Sequence, residues 1–299
     1  MRGFLTIFAT AAMPLAAQAD APRSFDSHGA AAEALASALR SGDVQTVLSV
    51  FGDGAEALLL DVDEAQRAEN WQAFLDAYDA EHAFRLQPDG LAFLVVGEED
   101  WPFPVPIVRR VDGGYQFDLD AGAEEILLRR VGENELAIID TMRAYVDAQA
   151  EYRARDPDGD GIHAFASHLI SEEGAKDGLY WDGPDSVVGD AFARASAQGF
   201  LTYNGDQDAV PFSGYFFHML SGQGESAPGG AMSYVVNDHQ LAGHALIAVP
   251  AIYGVTGIMS FMVSENGAVL EADLGDDSIE EGLALELYDP GETWVPVEP

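Results

Sequence analysis

The chain has 299 residues, no cysteine and 48% hydrophobic composition, with 14 basic against 51 acidic residues, a formal charge of −37 and a pI near 4.1. Without cysteine there is no disulfide framework, thiol nucleophile or thiolate metal site, so a packed apolar core must hold the fold. The acidic field repels phosphate backbones and anionic head groups, whose binding relies on clustered Lys and Arg, so nucleic acid and membrane surfaces are not expected partners.

The first residues read as a secretory leader: Arg2 is basic, Phe4 to Ala12 is apolar, and Ala17-Gln18-Ala19 has the small-x-small pattern of a signal-peptidase site. The apolar stretch is too short to cross about 30 Å of hydrocarbon. Residues 1–19 are therefore expected to be a signal peptide, and the mature chain, about −38 once Arg2 is removed, to be periplasmic or secreted.

Three helices come next. His28 to Arg40 carries Leu35 and Leu39 four apart and ends at Gly42, and Asp43 can cap a second helix with Val44, Val47, Leu48 and Phe51 on one stripe. A third starts at Asp63, with Gln66 three residues on, and carries Trp71, Phe74, Leu75 and Tyr78. Short β-type runs at Leu91–Val96, Val105–Val108 and Tyr115–Leu119 predict a small antiparallel sheet. A long helix over Asn134–Arg153 then links two halves. Beyond it the spacing predicts helices over Ile162–Ile170 and Ser186–Ala197. Strands are expected near Tyr215–Leu220, Met232–Val236, His244–Val249, Thr256–Val263 and Val269–Leu274.

The uncharged run Ala245–Ser264 is long enough for a bilayer, but Pro250, Gly254 and Gly257 divide it into two buried strands. No transmembrane span is expected after signal removal. Helices followed by strands, twice, give an α+β fold: an N-terminal half over 20–132 with a small antiparallel sheet, a linking helix over 133–155, and a C-terminal half over 156–299 with a mainly antiparallel sheet and short helices. The first half is loosely similar to the cone-shaped nuclear-transport-factor fold, an analogy that carries no function.

The stretch DPDGDG places Asp156, Asp158 and Asp160 at positions one, three and five of a calcium-hand loop, with Gly161 at six. Position twelve is Ser167, so the bidentate glutamate is missing; Ile162, at seven, can still offer its carbonyl. Against a Ca²⁺ site, the apolar set Ile162, Phe165, Ala166 and Leu169 predicts a helix beginning inside the loop, with Asp160 as its cap. Both readings stand on the sequence.

The seven histidines form no compact ligand pair such as HExxH. His163 and His168, placed on one helix, would point apart, while His218 and His244 lie in strands and could converge. No GxSxG elbow occurs. The glycine-rich segment 222–231 lacks a phosphate-loop lysine and reads as a loop between strands. Lys176, the one lysine, reads as surface charge. No catalytic or cofactor-binding residue is assigned. A ligand or partner cleft is expected where DGLYW, residues 177–181, meets the glycine-rich loops, with Asp177, Tyr180, Trp181, Tyr215 and Tyr253 supplying apolar faces with polar tips.

Several blocks carry a resemblance: DGLYW (177–181), PFSGYFFHMLSGQG (211–224), APGGAMSYVVN (227–237) and GHALIAVPAIYGVTGIMSFMVSENGAVLEADLG (243–275), with GGYQFDLDAG (113–122) and RRVGENELAII (129–139) ahead of them. Together they resemble an uncharacterised exported bacterial family, the domain of unknown function numbered twenty-nine fifty, over roughly Gly42 to Gly275. The resemblance implies export and no established activity. It also weakens a catalytic role for His218 and His244, which stand where similar proteins often carry other residues. The expected function is a non-catalytic envelope module that binds a protein or small ligand. The alternatives are a hydrolase using carboxylates or a bound divalent cation, and a calcium-stabilised structural module.

Overall fold

The computed structural model describes residues 23–56, 63–88, 90–189 and 210–297, and the chain divides into two compact units, Met1–Ile126 and Leu127–Pro299. The leader-like residues 1–19 lie outside the described residues, as does most of the helix expected over 186–197; residues 186–189 form no helix.

In the first unit, three helices start where a short polar side chain can accept a backbone N–H left over at the helix end. Ser27 caps α1 (His28–Ser41), Asp43 caps α2 (Val44–Phe51) by accepting from Thr46 N at 3.0 Å, and Asp63 caps α3 (Glu64–Ala80) by accepting from Gln66 N at 2.9 Å. The antiparallel sheet contains β1 (His82–Leu86), β2 (Ala92–Val96), β3 (Trp101–Pro102), β4 (Ile107–Arg109) and β5 (Tyr115–Phe117), in the order β1-β2-β4-β5 with β3 also on β2. Leu35, Val47, Phe51, Leu75 and Tyr78 pack with Leu94, Val96, Ile107 and Phe117 in one core.

Helix α4 (Leu119–Arg155) is much longer than the Asn134–Arg153 expected, and the division between units falls within it. Gly122 and Gly132 both lie inside it. Asp118 accepts from Ala121 N at 3.2 Å and so supplies the start.

The second unit is built on an antiparallel sheet of β8 (Tyr215–Leu220), β13 (Ala245–Pro250), β14 (Met259–Ser264), β15 (Val269–Asp273) and β17 (Val295–Pro296), in the order β17-β15-β14-β13-β8. Side chains alternate across a strand, so the two faces of this sheet have separate cores. On one face, Leu246, Ala248, Phe261 and Val263 meet Ile138, Met142 and Tyr145 of α4. On the other, Ile247, Val249, Met262 and Leu270 meet Leu283 of α5 (Ser278–Leu283), Tyr288 and Trp294. Every residue of β13 is buried. That double burial explains why 245–264 carries no charge, and among the described residues no helix is long and apolar enough to cross a membrane.

Smaller pairings complete the unit: β6 (His168–Ile170) runs parallel to β7 (Gly178–Tyr180), β9 (Gly222–Gln223) joins β10 (Met232–Ser233) and β16 (Leu287–Tyr288), and β11 (Val235–Val236) pairs with β12 (His239–Gln240). Helical and antiparallel parts succeed each other as the α+β reading expects.

Gly257 packs against the hydroxyl of Tyr215, a fully buried ring whose O–H donates to Met259 O at 2.9 Å, and a Cβ at 257 would collide with that hydroxyl. Gly257→Ala is expected to lower stability by about 1–3 kcal/mol through overpacking. A chemical-denaturation curve checks this, and an unchanged midpoint would show that the ring moves aside freely.

Candidate metal centre

The helix expected over Ile162–Ile170 is absent. Ala164 to Ser167 form no helical turn, and His168–Ile170 is strand β6. Backbone groups that would close a helix go to distant partners instead: Phe165 N donates to Gln240 O at 2.8 Å, Ser167 N to Asp177 O at 2.9 Å, and Ala166 N to the Gln149 side chain at 2.9 Å. The DPDGDG loop therefore runs into extended chain, and no helix begins inside it.

The loop starts where α4 ends. Asp156 adopts a left-handed φ of +50° while its N–H still reaches Tyr152 O at 3.2 Å, which turns the chain away from the helix axis. Gly161, at loop position six, has φ +81°, a backbone conformation natural to glycine. The turn is fastened from inside: Gly161 N donates to Asp156 Oδ2 at 3.2 Å, Asp160 N to Asp158 Oδ1 at 3.4 Å, and Ile162 N to Asp160 Oδ1 at 2.6 Å. Asp160 thus holds an Asx-type turn and caps no helix.

One carboxylate oxygen from each of Asp156, Asp158 and Asp160 lies within 4.8 Å of the others. Asp156 Oδ1 is shut off from solvent with no hydrogen-bond partner. The Asp158 carboxyl is held above its ordinary pKa by burial first, and by the Asp156 and Asp160 carboxylates beside it, against the lowering effect of the Asp160 N–H. Three carboxylates converging in this way are arranged to accept a cation. Ser167 contributes no glutamate-like arm, its hydroxyl being engaged with Asp177 O and His168, and the Ile162 carbonyl accepts from Ala164 N at 2.7 Å.

The segment just beyond the loop is firmly anchored. Gln149 is fully buried; its amide donates to Ala166 O and to the Tyr145 hydroxyl, both at 3.2 Å, while its carbonyl accepts from Ala166 N. Arg153 lies 4.5 Å over the Phe165 ring and donates to His163 O. His239 on β12 comes within 3.7 Å of Asp160.

A second set of donors, His168, Glu172 and Asp177, also offers one atom each within 4.8 Å. His168 Nδ1 is 3.4 Å from Asp177 Oδ2, and Asp177 Oδ1 accepts from Glu172 N at 2.9 Å. Both groups flank Tyr152, whose hydroxyl donates to Lys176 O. Its pKa is raised by burial first and then by the charges of Asp158, Asp177, Asp160 and Asp156. The sequence points Asp177 toward a cleft and does not reveal this set. His168 and Glu172 carry the only signal, and spacing alone cannot join them to a residue on the other side of a parallel pair.

The residues expected to form a cleft occupy different surroundings. Trp181 and Tyr215 are buried in the core beneath α4, and Trp181 donates to Asp185 at 2.9 Å. Lys176 pairs with the same Asp185 at 2.8 Å and lies 4.9 Å over the Trp181 ring, so the lone lysine is tied to this corner; these two bonds hold the Asp185 carboxyl below its ordinary pKa. Tyr253, in the β13–β14 connection, donates to Asp273 at 3.0 Å. Tyr180 borders a hollow with Pro184 and Val187, whereas the glycine-rich segment borders a groove of about 330 Å³ with Tyr234, Gly243 and Glu265.

His218 and His244 do not converge. The register pairs His218 with Ile247 and Leu220 with Ala245, which puts the two imidazoles on opposite faces of the sheet. Each has a buried Nδ1 without a partner, and burial lowers the pKa of both.

Fold and geometry together define a cysteine-free α+β protein of two units, with a carboxylate cradle at the end of its long helix. The chain belongs to the DUF2950 family, a protein family of unknown function, whose profile matches residues 22–297. No curated protein and no solved structure matches it.

Proposed function

We propose that the protein is an exported, non-catalytic binding module of the cell envelope, whose second unit is held in its working form by a calcium ion in the DPDGDG loop. The observation that carries the calcium reading is the convergence of Asp156, Asp158 and Asp160 around a buried, unpartnered Asp156 oxygen, on a loop turned by Gly161. The donors are all oxygen, as a hard cation requires, and the missing twelfth-position glutamate places the affinity in the range of extracellular modules, about 10⁻⁴ to 10⁻³ M. An ion there would join the end of α4 to the segment that Gln149 holds and that pairs with β12 at Phe165 and Gln240. Export rests on the leader pattern of residues 1–19, and the binding role on the large acidic charge of the chain together with the lack of a recognisable catalytic motif.

At calcium concentrations ten to a hundred times Kd, binding to the folded state alone adds about 1.4–2.7 kcal/mol. The mature chain is therefore expected to melt several degrees higher in 10 mM calcium than in EDTA, and Asp158→Asn to lose most of that rise. Equal melting in both conditions would remove the calcium reading. Pull-down from envelope extract is expected to recover a reproducible partner that EDTA releases; recovery of none across salt conditions would remove the binding role.

A further inference from the structure

We propose that His168, Glu172 and Asp177 form a second metal site, for a divalent transition metal of the zinc class, independent of the calcium loop. The donor set differs in kind from DPDGDG. An imidazole nitrogen with two carboxylates favours a borderline metal that takes mixed nitrogen and oxygen ligands, whereas a calcium site is built of oxygens.

The backbone brings the three together. Parallel pairing sets His168 of β6 opposite Gly178 of β7, so Asp177 arrives beside the imidazole although eight residues separate the two in sequence. Asp177 is fastened at its main chain, where its carbonyl accepts from Ser167 N at 2.9 Å, and the 171–177 connection is closed by Gly178 N donating to Ser171 Oγ at 3.0 Å. Asp177 Oδ1 holds Glu172 N at 2.9 Å, which fixes the start of the Glu172 side chain, while Oδ2 faces His168 at 3.4 Å. His168 and Asp177 are each about one-third exposed, and Glu172 lies at the surface with a carboxylate oxygen within 4.8 Å of the other two donors, so the site is open to solvent. Three protein ligands with an open side is the arrangement in which zinc keeps a water as its fourth ligand.

The test uses the mature chain stripped of metal and titrated with zinc by calorimetry in excess calcium, with cobalt as a spectroscopic substitute. One zinc per chain is expected, with visible cobalt absorption of a four- or five-coordinate site. His168→Ala is expected to weaken zinc binding at least tenfold. Glu172→Gln, at an exposed position that leaves folding intact, should weaken it as well, and Asp158→Asn should leave it unchanged. Absence of zinc binding would overturn the proposal, as would binding that survives both His168→Ala and Glu172→Gln. Loss of zinc in Asp158→Asn with retention in His168→Ala would also overturn it by assigning the ion to the aspartate loop. Failure of the calcium reading leaves these outcomes unaffected, since they are read with calcium already in excess.

Discussion

Gln149→Leu is expected to destabilise the second unit by about 2–4 kcal/mol and to weaken calcium binding with it. The side chain is fully buried and is the partner of both the N–H and the C=O of Ala166. Leucine fills a similar volume but leaves both backbone groups without a partner away from water, and each costs about 1–3 kcal/mol. The Tyr145 hydroxyl loses a donor in the same change and keeps only its long contact, 3.4 Å, to Ala245 O. Because Ala166 fastens the chain just beyond the aspartate loop, its release should let Asp160 drift from Asp156. Urea unfolding monitored with and without calcium checks both parts. A variant with wild-type stability would mean that Ala166 finds other partners, and one with lowered stability but unchanged calcium response would separate the anchor from the loop.

Stability should also fall between pH 6.5 and about 4, by roughly 3 kcal/mol attributable to His244. This imidazole is 1% exposed, faces the rings of Tyr145 and Phe165, and has an unpartnered Nδ1. Burial first, and then the nearby Arg153 charge, lower its pKa from 6.5 to about 4. In that window the unfolded chain takes up a proton that the folded chain refuses, so stability declines as the pH drops; above 6.5 both states are neutral and the effect vanishes. At about 1.36 kcal/mol per pH unit, a displacement of this size gives the figure quoted. His244→Phe should flatten the acid limb in this window, and an unaltered slope would assign the acid loss to carboxylates.

Much of the second sheet is legible in the sequence because its central strands are covered on both faces. A run such as ALIAVP has no alternation to misread, and β8, β13, β14 and β15 fall where the apolar runs predict them. Strand β1 is not legible: HAFRL is exposed at four of its five positions and carries no burial pattern. Helix α4 begins 15 residues before the expected Asn134 and runs through Gly122 and Gly132.

The misreading of 162–170 has a different cause. Phe165, Ala166 and Leu169 are all buried, at a spacing that also suits a helix, but they are buried by contacts with β12, Gln149 and β7 that local periodicity cannot reveal. The same limit applies to the sites. Three aspartates within five residues declare themselves, whereas His168 and Asp177 meet only through a parallel pair. Trp181 and Tyr215 have the chemistry of recognition residues, and their burial depends on what α4 covers.

The most direct test of the calcium loop is calorimetric titration of the EDTA-stripped mature chain with calcium, beside the variant carrying both Asp156→Asn and Asp158→Asn. One calcium per chain is predicted for the wild type, with Kd in the range of about 10⁻⁴ to 10⁻³ M, and no measurable binding for the variant. Binding heats that are absent from the wild type, or identical in the two proteins, would contradict the account.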